Sequence, residues 1–84
     1  MAAGDVLRSF PLPAGNTTGL AWDGRALWNA NLGSDRIYQI DPESGLVLRW
    51  FASPGASPVG LAWDGRALWI GSDVTDRIYQ VAVA

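Results

Sequence analysis

The segment Gly-Leu-Ala-Trp-Asp-Gly-Arg-Ala-Leu-Trp at residues 19–28 recurs letter for letter at 60–69. Asp-Arg-Ile-Tyr-Gln at 35–39 returns at 76–80, and Val-Leu-Arg at 6–8 returns at 47–49. All of these pairs share one offset, 41 residues. A fixed period constrains architecture before local propensity does, because each unit must then fold alike and stack on its copies. The 84-residue chain is one unit, 1–84, built of two repeats, one at about 6–46 and the other at about 47–84.

Each repeat reads as short strands punctuated by turns. Residues 19–22 and 26–30 flank Asp23-Gly24, a dipeptide favoured in type I′ hairpins, where both central residues take positive φ. A third strand at 36–40 runs into Asp-Pro-Glu-Ser-Gly at 41–45, and a fourth covers 46–51. Pro54 and Pro58 then break the pattern. No stretch keeps a 3.6-residue apolar period for the roughly 10 to 12 residues a helix requires. A period of about 40 to 45 residues with this strand content is that of a propeller blade. The predicted fold class is therefore all-β, with two four-stranded antiparallel blades of a β-propeller per chain.

Parity along the strands fits blades stacked face to face. Leu20 and Trp22 point to one side, Gly19 and Ala21 to the other, and apolar side chains occur on both. That is the pattern of a sheet covered on both faces. Trp22, Trp28, Trp50, Trp63 and Trp69 accordingly read as filler between blades rather than as sugar-stacking platforms.

Strand order predicts how such blades would close. With strands named a to d from the axis outward, the chain opens on a d strand at residues 6–10, between Val6 and Phe10, and continues a, b, c, d, a, b, c. The second blade thus needs an outer strand, and residues 6–10 of a neighbouring copy are expected to supply it. A bare blade face on the order of 500 Å², at about 25 cal/mol per Å², represents roughly 12 kcal/mol, comparable with the ~5–15 kcal/mol stability of a whole domain. Head-to-tail contacts cover every such face and give a ring if the rotation closes. Propellers have about four to eight blades, so two per chain permit four, six or eight and exclude seven. The expected partner is the chain itself, as a six-bladed homotrimer first and an eight-bladed homotetramer next.

Composition removes other classes. There is no Cys and no His, which rules out disulfides and argues against structural zinc; no cofactor and no metal site are expected. Every basic residue is Arg, and Arg25, Arg36, Arg66 and Arg77 each lie within two residues of an Asp. With a formal net charge of -2 and no basic stripe, nucleic acid is not an expected partner. No apolar run approaches the roughly 20 residues of a membrane helix, so no membrane partner is expected either. Residues 1–5 lack the basic and apolar regions of an export signal, so the chain is expected to be soluble without a signal peptide, its compartment left open.

The segment at 19–28, followed by Asp-Arg-Ile-Tyr-Gln-Ile-Asp-Pro-Glu-Ser-Gly at 35–45, resembles the blades of the YncE, streptogramin-lyase and NHL group of propellers. The resemblance covers nearly the whole chain and is specific for the blade, not for an activity. That group includes lyases, lactonases, cyclotransferases and plain interaction scaffolds. Its members usually hold all blades in one chain, so a two-blade chain looks closer in architecture to the short-chain lectins that assemble propellers from subunits.

Without His, Cys or Lys, acid-base or nucleophilic work would fall to Asp35, Asp76, Tyr38 or Tyr79, and no paired-carboxylate spacing is visible. Asp35 and Asp76 read as turn residues, and no catalytic residue is assigned. The loops from d to a and from b to c offer Asn16, Thr17, Thr18, Asn29, Asn31 and Asp35 in the first repeat and Ser57, Ser72, Asp73, Thr75 and Asp76 in the second. These are the segments where the repeats diverge most, as when one scaffold carries varied binding surfaces. They are candidate contacts for a small-molecule or glycan ligand, and their oxygens are of the type that holds a hard cation such as Ca²⁺. Three readings follow, in order: a self-assembling scaffold or interaction module with no catalytic function, a multivalent lectin-like binder, and a lyase- or lactonase-like enzyme.

Overall fold

The computed structural model describes residues 2–13 and 15–83; positions 1 and 84, the ends of the expected unit, lie outside them. The fold is all-β, with no helix among the described residues. Strands β1 (Thr17–Trp22), β2 (Leu27–Asn31), β3 (Arg36–Ile40) and β4 (Val47–Ala52) form an antiparallel sheet in that order. Strands β5 (Pro58–Trp63), β6 (Leu68–Ser72) and β7 (Arg77–Val81) form a second, three-stranded antiparallel sheet.

The 41-residue period holds in the ladder as well as in the letters. Ala21 pairs with Trp28 and Trp28 with Gln39 in the first sheet, as Ala62 does with Trp69 and Trp69 with Gln80 in the second. Each first strand slips register once, between Thr17 and Gly19 and between Pro58 and Gly60. Pro58 thus opens β5 instead of preceding it, in a place where a ladder slip tolerates a residue with no N–H to donate.

The hairpins also differ from the type I′ expectation. Gly24 has φ 97° and Gly65 has φ 99°, but neither Asp23 nor Asp64 has positive φ. Gly24 and Arg25 are the central residues, flanked by Asp23, whose N–H donates to the Ala26 carbonyl at 3.2 Å. The reason is the carboxylate of Asp23, which accepts the N–H groups of Arg25 and Ala26, both at 2.8 Å. It folds the turn from the outside instead of occupying its centre.

The two sheets stack through one face each. Ala21, Trp28, Ala30 and Ile37 of the first meet Leu68 and Ile70 of the second, with Phe51, Leu61, Trp63 and Val81 around them. Trp28 is fully buried, its ring 5.9 Å from that of Phe51. The sheets come closest at their first strands: a Cβ placed on Gly19 would lie 3.0 Å from the Gly60 Cα and 3.0 Å from the Leu61 nitrogen. Beside it the Thr18 hydroxyl donates to the Pro58 carbonyl at 2.6 Å. β1 packs on β5 while the later strands spread apart, so the pair is a wedge.

Outside the wedge, each sheet presents its other face. Leu20, Trp22 and Trp50 lie exposed on the first, Trp69 and Ile78 on the second. Residues 6–10, expected as a strand, join neither sheet. Instead Arg8 Nη1 donates to the Pro42 carbonyl at 3.0 Å and to Glu43 Oε2 at 3.2 Å, and Phe10 packs against Gly45. The outer side of β7 has no strand partner among the described residues.

Because Gly19 abuts backbone and not a movable side chain, Gly19→Ala should lower the unfolding free energy by about 1–3 kcal/mol, the usual cost of overpacking. Urea denaturation followed by tryptophan fluorescence measures this, and a change within ±0.5 kcal/mol would refute the close approach.

Candidate functional site

Most of the candidate loop residues are engaged in shaping the loops themselves. Asn16, Asp35, Ser57 and Asp76 have φ of 63, 55, 53 and 54°. They form two pairs at the repeat offset, Asn16 with Ser57 and Asp35 with Asp76. A left-handed residue is thus required before each first strand and before each third strand. Asn and Asp tolerate that region because their short polar side chains bond locally, which accounts for three of the four identities.

Their partners close the same turns. The Asn31 amide donates to the Gly15 carbonyl, and its Oδ1 accepts from the Ser34 N–H at 2.9 Å and the Ser34 hydroxyl at 3.0 Å. The Leu32 N–H donates to the Asn16 carbonyl at 3.0 Å. Asp35 receives the Ser57 N–H on Oδ1 at 3.0 Å and the Ser53 N–H on its carbonyl at 2.9 Å. In the second sheet Ser72 donates to the Ala56 carbonyl and accepts the Thr75 N–H at 3.3 Å, while Tyr79 donates to Thr75 at 2.9 Å. Asp73 and Asp76 point into solvent. The chain therefore gathers Asn16, Asn31, Asp35 and Ser57 at one end, with both amide atoms of Asn31 and Oδ1 of Asp35 already bonded. Among the described residues no three acidic side chains converge as cation ligands would.

Asn29 is different. It lies within β2, fully buried, and donates through Nδ2 to Thr17 Oγ1 at 3.0 Å. Its Oδ1 has no partner among the described residues. It contributes to the wall of a cavity of about 460 Å³ between residues 8–13 and the open face of the first sheet, where Leu20, Leu27 and Ile40 also stand. Position 29 corresponds to Ile70 in the second repeat, so the polar atom is peculiar to this face. The sequence flagged Asn29 as a loop residue and missed the cavity, because nothing local shows that residues 8–13 fold back over β1 and β2. The signal that was there is that Phe10 and Arg8 stand at the repeat offset from Phe51 and Arg49.

A second arrangement, built from a hairpin aspartate and strand residues, ties each sheet together at the turn between its first two strands. Asp23 Oδ2 accepts from the Trp28 indole at 2.7 Å and from Gln39 Nε2 at 3.3 Å, and Gln39 Oε1 in turn accepts from Arg49 Nε at 2.8 Å. The Arg49 guanidinium lies 5.3 Å from the Trp28 ring centroid. Asp64, Trp69 and Gln80 repeat the first links at 2.7 and 3.0 Å. Burial pushes the Asp23 carboxyl up, but the N–H groups of Ala26 and Arg25, with Trp28 and Gln39, outweigh it and hold it below its ordinary value of 3.8. For Asp64 the Ala67 N–H, the Trp69 indole and the Arg66 N–H dominate and hold it far below that value. The chain matches no protein-family model, and no curated protein is significantly similar to it.

Both carboxylates are depressed in the folded chain, so their stabilisation is complete above pH 4 and is lost as pH falls through the lowered values. Asp23→Ala should destabilise by about 1–3 kcal/mol, since it strands the N–H of a fully buried indole, and Asp64→Ala by less, since Trp69 is part-exposed. Denaturation at pH 7 and below pH 3 checks both claims: the gap between wild type and Asp23→Ala should narrow in acid.

Proposed function

We propose that this chain is a self-assembling β-propeller module whose demonstrable activity is head-to-tail association of identical copies into a ring. In this reading the two sheets are blades of the YncE, streptogramin-lyase and NHL type, and residues 6–10 of one copy become the outer strand of its neighbour's second blade. Six blades from a homotrimer are favoured, and eight from a homotetramer come next.

The observation that carries the reading is that each open face is the sequence copy of a face already buried inside the chain. Ala62, Trp69, Ile78 and Gln80 on the open face of the second sheet stand at the repeat offset from Ala21, Trp28, Ile37 and Gln39, which form the inner face of the first. Leu20, Trp22, Leu27 and Ile40 on the open face of the first correspond to Leu61, Trp63, Leu68 and Val81. Side chains selected to fit one another within the chain can fit again between chains, and a contact of that kind is heterologous, leaving a new copy of the same face at each end. The wedge shape favours closure, because stacked wedges turn about the edge where they touch.

The binder and enzyme readings have less to stand on. Among the polar loop atoms proposed for a ligand, those of Asn31, Ser72 and Thr75 are already bonded within the loops, and Asp35 Oδ1, in the first carboxylate an enzyme reading would invoke, already accepts the Ser57 N–H.

Light scattering coupled to gel filtration tests the proposal on the 84-residue chain. A mass about three times 9.0 kDa is expected, and four times would give the larger ring. A monomer across the micromolar range would overturn it.

A further inference from the structure

The cavity under residues 8–13 has a specific shape and position. It lies between the open face of the first sheet and a segment whose sequence repeats that of β4, since Val6, Leu7, Arg8 and Phe10 match Val47, Leu48, Arg49 and Phe51. Inside the chain, the corresponding space, between Phe51 and the face carrying Leu61 and Leu68, is filled by Trp28. The side chain at the repeat offset from Trp28 is Trp69, and it is one of the large apolar groups left open on the second sheet.

We infer that this cavity is a socket for the second sheet of another copy of this chain, with Trp69 as the group that fills it. The inference rests on the assembly reading above and fixes its contacts. Trp69 of the incoming copy enters between Phe10 and the Leu20–Leu27 floor. Residues 6–11 then pair antiparallel with the incoming β7 in the register that β4 keeps with β3, which sets Arg8 opposite Gln80, Ser9 opposite Tyr79 and Phe10 opposite Ile78. Arg8 completes on the incoming copy the chain of bonds that Arg49 completes at home, from the aspartate through the glutamine to the arginine. Phe10 already stands over the floor in the free chain, so the socket is largely formed before its occupant arrives.

The same template makes Gly60 the point where two copies touch. Gly19, its counterpart, has the Gly60 backbone 3.0 Å from where a Cβ would be, whereas a Cβ on Gly60 itself would meet nothing within 4 Å. Its φ is not in the left-handed region, so a side chain fits without strain. Gly60→Leu should therefore leave the fold of the chain unchanged and weaken association by about ten- to a hundredfold.

The test compares wild type with Gly60→Leu by light scattering over a concentration series, with circular dichroism to confirm that both are folded. An oligomeric wild type and a folded, dissociated Gly60→Leu support the socket. A variant that assembles like wild type overturns the socket while leaving self-assembly intact, and a monomeric wild type overturns the assembly reading beneath it. An independent check on register uses the absence of native cysteine. Ser9→Cys with Tyr79→Cys should cross-link between copies on oxidation, whereas Leu7→Cys with Tyr79→Cys should not, because Leu48, its counterpart, sits in the ladder slip. Equal cross-linking of both pairs would refute the register.

Discussion

Two backbones in contact, at Gly19 and Gly60, set the geometry of everything around them. Only glycine lets β1 and β5 come this close, and the bond from the Thr18 hydroxyl to the Pro58 carbonyl holds them there. With the first strands pinned, the sheets can only diverge outward, and the space between them widens enough for an indole. The sequence meets that widening with graded side chains. Glycine stands at the contact, alanine beside it at Ala21 and Ala30, and Trp28 and Phe51 farther out. Packing at native density demands such grading, since voids forfeit dispersion and overfilling forces strain.

A large indole must also be held in one orientation. Asp23 does this with one carboxylate, using one oxygen for the hairpin N–H groups and the other for the Trp28 indole and the Gln39 amide. The turn, the buried ring and the third strand are thus joined at one residue. Asp64 repeats the arrangement in a more exposed setting, where the same kind of donors hold its carboxylate far below the ordinary value. Identity between the repeats at 23–28 and 64–69 is therefore a consequence of geometry, because turn, carboxylate and ring must keep their spacing together.

Much of this was legible in the sequence because a repeat supplies its own control. The 41-residue offset located the strands to within one or two residues, and the third strand, 36–40, matched β3 at both ends. β1 begins two residues earlier than the glycine that seemed to open it, because the ladder slips at Thr17 and Gly19 and pairing resumes beyond. Fully buried polar residues were harder to see. Asn29 and Asn31 read as loop ligands, since amides in isolation favour turns, yet both lie within β2, Asn29 bonded across to Thr17 at the start of β1 and Asn31 to Gly15 before it. The fold-back of residues 8–13 left no local mark either, because it depends on Phe10 meeting Gly45, a contact distant in sequence.

The internal stack and the open faces are copies, but not equal ones. Ile70 inside the chain is replaced on the open face by Asn29, and Ala30 by Gly71 on the opposing one. The first change puts a carbonyl oxygen without a partner where the chain elsewhere buries a branched apolar group, at a cost of about 1–3 kcal/mol if it stays unmatched. The second removes a methyl from the contact. If copies stack as proposed, both changes would make stacking between copies weaker than stacking within one. In the proposed assembly the two-sheet unit would then fold first, with association as a separate, concentration-dependent step.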